Sequence, residues 1–433
     1  MNNNIAQVRA RSVWDSRGRP TVEAEVHLAG GAIGRAIAPA GASRGKYEAV
    51  DLRDGGSRFG GMGVERAVAA VNGEIAPLLI GADAREQDQI DARLCRADGT
   101  PNKGRVGGNA TVAVSMAAAH AAAAAEGVPL WRWLSRGGPV SLPLPEIQIF
   151  GGGAHAGRRT DIQDFMIMVP KAASIREVLE VTGDVYRAAG EVMQDRDRMV
   201  GTADEGGWWP MFDTNEQALE TLVEAIERAG HRPGEDVFIS LDIAASEFAE
   251  GNGYVLALDD ARSSSEEMVE RVCDWAARYP ILSIEDPVGQ DDTPGMVAVT
   301  RRLGGRIQII GDDYLVTNSD RVDAAAAAGA CNAVLVKVNQ AGSLSEAKAA
   351  LDAAQRRQWG TIVSARSGET EDVTIAHLAV GWNARQLKVG SFARSERMAK
   401  WNELLRIEEA LGADNRFDGI RAFAPGVSAA LGA

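Results

Sequence analysis

Three acidic residues close apolar runs in the second half of the chain: Asp242 after Val237 to Leu241, Glu285 after Ile281 to Ile284, and Asp312 after Ile307 to Gly311. Any one of them is most commonly the N-cap of a following helix. Three in succession ask for more, because like charges brought together are costly unless a cation neutralises them. An all-oxygen ligand set with no thiolate selects Mg²⁺, with Mn²⁺ as the other fit, over zinc. The next runs end in cations: Lys337 after Val334 to Val336, Arg366 with Ser367 after Thr361 to Val363, and Lys388 after Leu387. A lysine buried beside a metal and a second lysine loses proton affinity and can serve as a general base near neutral pH. Arg366 and Ser367 offer a planar fork and a hydroxyl, which suits phosphate. Metal, lysine base and phosphate clamp together describe removal of a proton α to a carboxylate, followed by elimination through a metal-stabilised enediolate. An acid must protonate the leaving hydroxide from the opposite face, and Glu205 in Ala203-Asp204-Glu205-Gly206-Gly207 is the candidate.

These residues need elements that bring them together. The runs that end in them are short and β-branched, and each is followed by a helix-forming segment. The polar residues recur mostly about 25 to 30 positions apart, the length of a βα unit. Runs without alternation fit strands buried on both faces. An open doubly wound sheet would also produce that text, but chemistry at every strand C-terminus favours an α/β barrel. The first 140 residues read differently. Val22, Ala24, Val26 and Leu28 alternate with Glu23, Glu25 and His27, which predicts a half-buried strand, and a second strand is expected around Ala32 to Ala38. Helical patterns cover about Gly63 to Leu79, Glu86 to Cys95 and Asn109 to Glu126. This α+β region is expected to end near Gly137-Gly138-Pro139, giving domains of 1–139 and 140–433.

With 433 residues, 45% of them hydrophobic, the chain can build a large core in two domains. A net charge of −14 argues against nucleic acid or an anionic membrane as the main partner, while leaving room for a small anionic substrate held by local cations. Cys95, Cys273 and Cys331 are far apart and predict reduced, packed thiols. The polar N-terminus and the absence of a long apolar run predict a cytoplasmic protein without a signal peptide or membrane span.

Several stretches carry a specific resemblance: Asp15-Ser16-Arg17-Gly18, Gly41-Ala42-Ser43, Asp204-Glu205-Gly206-Gly207, Ser283-Ile284-Glu285-Asp286-Pro287, Gly311-Asp312-Asp313, Ser367-Gly368-Glu369-Thr370-Glu371-Asp372 and Arg406-Ile407-Glu408-Glu409-Ala410. In this order, over nearly the whole chain, the sequence resembles the enolase family. The resemblance implies a C-terminal enolase-type α/β (TIM-like) barrel with an irregular start, an N-terminal α+β capping domain, and a homodimer or ring of dimers. It implies a first Mg²⁺ on Asp242, Glu285 and Asp312 and a second on Ser43. By the same resemblance Lys337 is the base, Glu205 the acid, Lys388 a carboxylate contact, Arg366 and Ser367 phosphate contacts, and His155 the histidine of a second active-site loop.

The chain also departs from the family. Ala365 stands where enolases read histidine in Ser-His-Arg-Ser-Gly-Glu, and Gln163-Asp164 replaces Gln-Glu. Gly151 replaces an asparagine, Arg44 a threonine, and Arg158 and Arg159 follow His155. Added positive charge near the phosphoryl end predicts a substrate with a further anionic group, met by Arg44. The fitting branch is that of the carboxyphosphonoenolpyruvate synthases, which belong to phosphonate natural-product biosynthesis. Ordinary dehydration of 2-phosphoglycerate is the alternative, and a non-catalytic scaffold that kept the fold is the third reading.

Overall fold

The computed structural model describes residues 2–42 and 45–432. The chain opens with an antiparallel sheet of β1 (Ile5–Trp14), β2 (Pro20–Leu28) and β3 (Ile33–Ile37), in that order. The inner face of the sheet packs on the helix Gly108–Glu126, which is rich in alanine and buried almost all round. Small side chains let backbones close up there. A Cβ on Gly34 would lie 2.1 Å from the Ala117 carbonyl oxygen and 2.2 Å from the Ala121 nitrogen, so only glycine fits.

Two expectations for this region change. Alternation in β2 predicts Glu23, Glu25 and His27 on a solvent face, yet Glu23 and Glu25 are only 6% and 4% exposed. Arginines from the flanking strands lie over them: Arg9 pairs with Glu25 at 2.6 Å, Arg35 with Glu25 at 3.3 Å, and Arg11 reaches both acids. Their aliphatic stems cover the carboxylates while the forks neutralise them. The helix expected over Gly63 to Leu79 divides into Glu65–Ala70 and Ala76–Leu79, joined by a wider π turn at Val71–Ile75. Pro77 has no N–H to give to the turn before it, and the π turn absorbs that loss.

The second half is a closed eight-stranded barrel. It begins with β4 (Leu144–Gly151), β5 (Asp164–Met168) and β6 (Phe238–Asp242). After β6 a small antiparallel sheet of β7 (Ala249–Glu250), β8 (Gly253–Leu256) and β9 (Ala261–Ser264) projects from the barrel. The barrel then continues through β10 (Ile281–Glu285), β11 (Gln308–Gly311), β12 (Ala333–Val336), β13 (Gly360–Ser364) and β14 (Gln386–Ser391), which pairs back onto β4. Strand β5 runs antiparallel to both neighbours, and the other barrel pairings are parallel. Every residue of the barrel strands is buried, which accounts for the apolar runs that precede Asp242, Glu285 and Lys337. Closure excludes the open doubly wound sheet. The strands expected before Asp242, Glu285, Asp312, Lys337, Arg366 and Lys388 are all present within one or two residues. Strands β4, β5 and β7 to β9 were not legible in the sequence. Among the described residues no helix is long and apolar enough to cross a membrane, and all three cysteines are free thiols.

The helix Gly108–Glu126 also joins the halves of the molecule. Its His120 meets His377, on the helix Thr374–Gly381, edge to face with ring centroids 6.4 Å apart. His120 Nε2 is 2.8 Å from Thr374 Oγ1, and His377 Nε2 is 3.4 Å from Glu403. Burial pushes His377 down from 6.5 to about 4; Glu403 and Asp372 oppose that shift and His120 adds to it. His120 is lowered too, chiefly by burial. Between about 6.5 and about 4 the unfolded chain therefore binds protons that the folded chain refuses, and stability falls as pH drops through that window. The thermal midpoint of the wild-type chain is expected to decline over this range, and His377→Gln to flatten part of the decline. Midpoints of both proteins measured across that range, with parallel pH profiles, would sink this account of the seam.

Candidate active site

Barrel closure sets the candidate residues on one rim. Asp242 ends β6 and Glu285 ends β10, and the two are register partners; Asp164, the first residue of β5, pairs with Asp242 on its other side. Asp312 follows β11, Lys337 follows β12, Arg366 and Ser367 follow β13, and Lys388 lies within β14. His155 belongs to a short 3₁₀ turn, Gly153–Ala156, after β4. Glu205 lies on the long connection between the helices Ile175–Asp195 and Asn215–Arg228. All of these side chains are buried.

The two lysines are shared among the acids. Lys388 Nζ donates to Asp242 Oδ2 and to Glu285 Oε2, each at 2.8 Å, and lies 3.5 Å from Asp164. Lys337 Nζ bonds to Asp312 Oδ2. Gln163 Nε2 donates to Asp242 at 3.1 Å, and Gln340 Nε2 to Asp312 Oδ1 at 2.9 Å. Opposite this group, His155 Nδ1 is 3.0 Å from Asp164 Oδ1, and its Nε2 lies 3.1 Å from Ser367 Oγ and 3.7 Å from Glu205. Asp164 also accepts from Gln148, so the shorter acid still reaches partners on both sides. His155, Asp164, Glu205, Lys337, Arg366 and Lys388 face a cavity of about 20 Å³, which Ala365 also lines. An enclosed space of that size holds about one water.

Charge states follow from burial set against near neighbours. Burial disfavours an imidazolium, but Glu205 and Asp164 overcome it and raise His155 to about 9. His155 in turn helps hold Asp164 well below the usual carboxylate range against the effect of burial. Asp164 is thus matched by His155, leaving Asp242, Glu285 and Asp312 with Lys337 and Lys388. Three acids against two ammonium groups are one positive charge short. The shortfall falls on Glu285: burial first, then the charge of Asp242, pushes it well above the ordinary value, and its Oε1 has no hydrogen-bond partner among the described residues. A buried carboxylate oxygen without a donor, in an all-oxygen acidic set, fits a divalent cation. Another acidic trio, Asp286, Asp312 and Asp313, has oxygens within 4.8 Å of one another. There both oxygens of Asp286 accept backbone N–H groups of Asp312 and Asp313, so that trio shapes the loop after β11. The expected loss of proton affinity at Lys337 is tied to a bound cation; with only its protein neighbours, burial lowers the group but Asp312 and Glu285 together raise it above an ordinary lysine.

Of the expected residues, Ser43 and Arg44 lie outside the described residues. Arg158 points away, pairing with Glu247 at 2.9 Å on the surface. Others went unnoticed in the sequence. Glu48, from the N-terminal domain, takes the Arg366 guanidinium with both oxygens, at 3.0 and 3.3 Å. Arg397, fully buried on the helix Ser395–Leu411, donates to the carbonyls of Arg366, Ser367 and Val389 and lies 3.8 Å from Glu205. Gln340 bridges Glu48 and Asp312. None follows an apolar run at a strand end, which was the signal that exposed the rest.

Comparison with known proteins agrees with this geometry. Residues 5–134 match the family described as "Enolase, N-terminal domain", and residues 139–425 match "Enolase, C-terminal TIM barrel domain". The protein named "Enolase 1" from Desulfitobacterium hafniense (strain Y51) is 48% identical over 423 residues, covering 97% of each chain.

The charge count makes a prediction. Lys388→Met leaves Asp242 and Glu285 facing each other without their shared ammonium, a change on the order of 3–5 kcal/mol for a broken buried pair. Its thermal midpoint is expected to fall strongly in EDTA and to recover in part with Mg²⁺. An equal loss in both conditions would mean that these carboxylates do not hold a cation.

Proposed function

The chain belongs to the enolase family and is a hydro-lyase, and from that premise we propose that it removes water from 2-phosphoglycerate to give phosphoenolpyruvate. The observation that carries the reading is the convergence on one cavity of Lys337 and Lys388, set among strand-end carboxylates, with Glu205 and His155. Lys337 takes the C2 proton, the electron pair enters the carboxylate as an enediolate, and collapse expels the C3 hydroxyl as water with a proton from Glu205. Lys388 sits where it can pair with a substrate carboxylate oxygen, and Arg366 with Ser367 holds the phosphoryl group. His155, charged at neutral pH, supports Glu205 and orders Ser367. In the same reading Asp242, Glu285 and Asp312 hold one Mg²⁺ and Ser43 a second; the metal would stabilise the enediolate and relieve Lys337 of the pull of Asp312.

The relative named Enolase 1 supports this reading over a phosphonate-bearing substrate. So does Arg158, whose ion pair with Glu247 removes one cation offered for an extra anion. What favours the second reading, a carboxyphosphonoenolpyruvate synthase, is Ala365: it lines the cavity, with a smaller side chain than the histidine of enolases. The reading also includes a cytoplasmic homodimer or ring of dimers; sedimentation equilibrium at the mass of one 45.8 kDa chain would exclude it.

With 2-phosphoglycerate and Mg²⁺, absorbance at the enolpyruvate band is expected to rise rapidly, and EDTA to stop it. Lys337→Ala should reduce solvent exchange of the substrate α-proton by on the order of 10²–10⁴-fold. Unchanged exchange would remove Lys337 from the base role. Wild-type protein that gains thermal stability from Mg²⁺ yet does not turn over 2-phosphoglycerate would move the proposal to the phosphonoformyl analogue.

A further inference from the structure

The barrel does not set Arg366 by itself. Its backbone N–H donates to Glu369 Oε1 at 3.0 Å, and its Nη1 donates to Asn339 Oδ1 at 3.1 Å. The guanidinium is met in addition by Glu48, which arrives from the other domain. Nη1 donates to Glu48 Oε2 at 3.0 Å and Nη2 to Glu48 Oε1 at 3.3 Å, the fork-to-fork contact that fixes a guanidinium plane best. Both side chains are nearly closed to solvent, Arg366 at 3% and Glu48 at 7% exposure. Glu48 is itself held. Its Oε1 accepts from the Gly45 N–H at 2.9 Å and from Gln340 Nε2 at 3.2 Å, and the Ala49 N–H donates to the Gln340 carbonyl at 2.8 Å. The same Gln340 amide reaches Asp312, and its carbonyl oxygen accepts from Thr317 Oγ1 at 2.7 Å. Gly45 permits this approach: a Cβ there would stand 2.9 Å from Val316 Cγ1 and 3.0 Å from Asp313 Oδ1.

We propose that Glu48 is a positioning residue for the anion site: a carboxylate of the N-terminal domain that orients the Arg366 guanidinium for a phosphoryl group and ties it, through Gln340, to Asp312. This rests on the reading of Arg366 as the phosphoryl contact. The alternative within the same geometry is a stand-in role, in which Glu48 occupies the fork that phosphate needs and so competes with it. One feature favours positioning: Glu48 Oε1 also accepts from the Gly45 N–H and the Gln340 amide, so a ligand would have to break four hydrogen bonds to displace Glu48.

The probe is inorganic phosphate, titrated by calorimetry into full-length wild type, Glu48→Gln, Arg366→Lys and the double variant, with 2-phosphoglycerate KM and kcat for each variant that turns over. Glu48→Gln is expected to weaken phosphate binding about tenfold, the scale of a hydrogen bond to a charged group. It should raise KM by a similar factor and change kcat much less. Because Glu48 acts through Arg366, the double variant should bind no worse than Arg366→Lys alone. Glu48→Asp, one methylene short, should not restore the wild-type value. Additive losses, or tighter phosphate binding by Glu48→Gln, overturn the proposal while leaving Arg366 as the phosphoryl contact. Wild-type protein that binds no phosphate at millimolar concentrations overturns both.

Discussion

Buried charge has to be cancelled where it stands, and the mouth of this barrel gathers more of it than any hydrophobic core tolerates. Asp164, Asp242, Glu285 and Asp312 lie within reach of Lys337, Lys388 and His155, all nearly closed to water. Desolvation of each ion costs several kcal/mol, and only close, hydrogen-bonded partners of opposite sign recover it. The arrangement satisfies that demand almost completely, with Lys388 bridging two acids, Lys337 on a third and His155 on the fourth. The remaining deficit is concentrated on Glu285, whose orphaned oxygen and raised pKa mark where positive charge is wanted. An all-oxygen acidic set with that deficit has the chemistry to hold a divalent cation.

Such a cluster needs rigid supports, and the rest of the fold supplies them. Strand register makes Glu285 and Asp164 the two neighbours of Asp242, so the acids cannot drift apart without breaking the ladder. Arg397 gathers three carbonyls beneath Arg366 and Ser367, fixing the turn after β13 from behind. Lys400, one helical turn on, is also fully buried and holds the Thr370 carbonyl and Glu369. The helix that closes the barrel therefore carries two buried cations whose work is structural.

The N-terminal domain is part of the site's frame. The backbone at Ala40 bridges to Gly368, and the Ala42 N–H donates to Ser367 Oγ at 3.2 Å. Glu48 continues that contact into the Arg366 fork. Along the same seam, burial lowers the proton affinity of both His120 and His377. The close approach of backbones at Gly34 and the alanine-rich helix lets the small sheet sit near enough to the barrel to deliver these groups.

By itself the sequence determined the local part of this account. A buried parallel strand is an unbroken apolar run, and the polar residue that ends it must lie at the strand's tip, so Asp242, Glu285, Asp312, Lys337, Arg366 and Lys388 could be read off in order. The need for an opposing acid singled out Glu205, and the family resemblance added His155. Tertiary structure alone decided what those residues meet. Strand β4 carries Glu146 and Gln148 among its apolar residues, which hid it from periodicity, and β5 is a short run whose polar residue, Asp164, stands at its start because the strand runs antiparallel to its neighbours. The burial of Glu23 and Glu25 depends on arginines that only strand pairing brings over them. The outward turn of Arg158 depends on Glu247, 89 residues away along the chain. The approach of Glu48 to Arg366, 318 residues apart, and the net rise in Lys337 basicity are sums over partners from different elements. Sequence encodes which groups can ionise and on which element they ride. Distance and solvent access, which set the strength and sign of their interactions, exist only once the chain has closed.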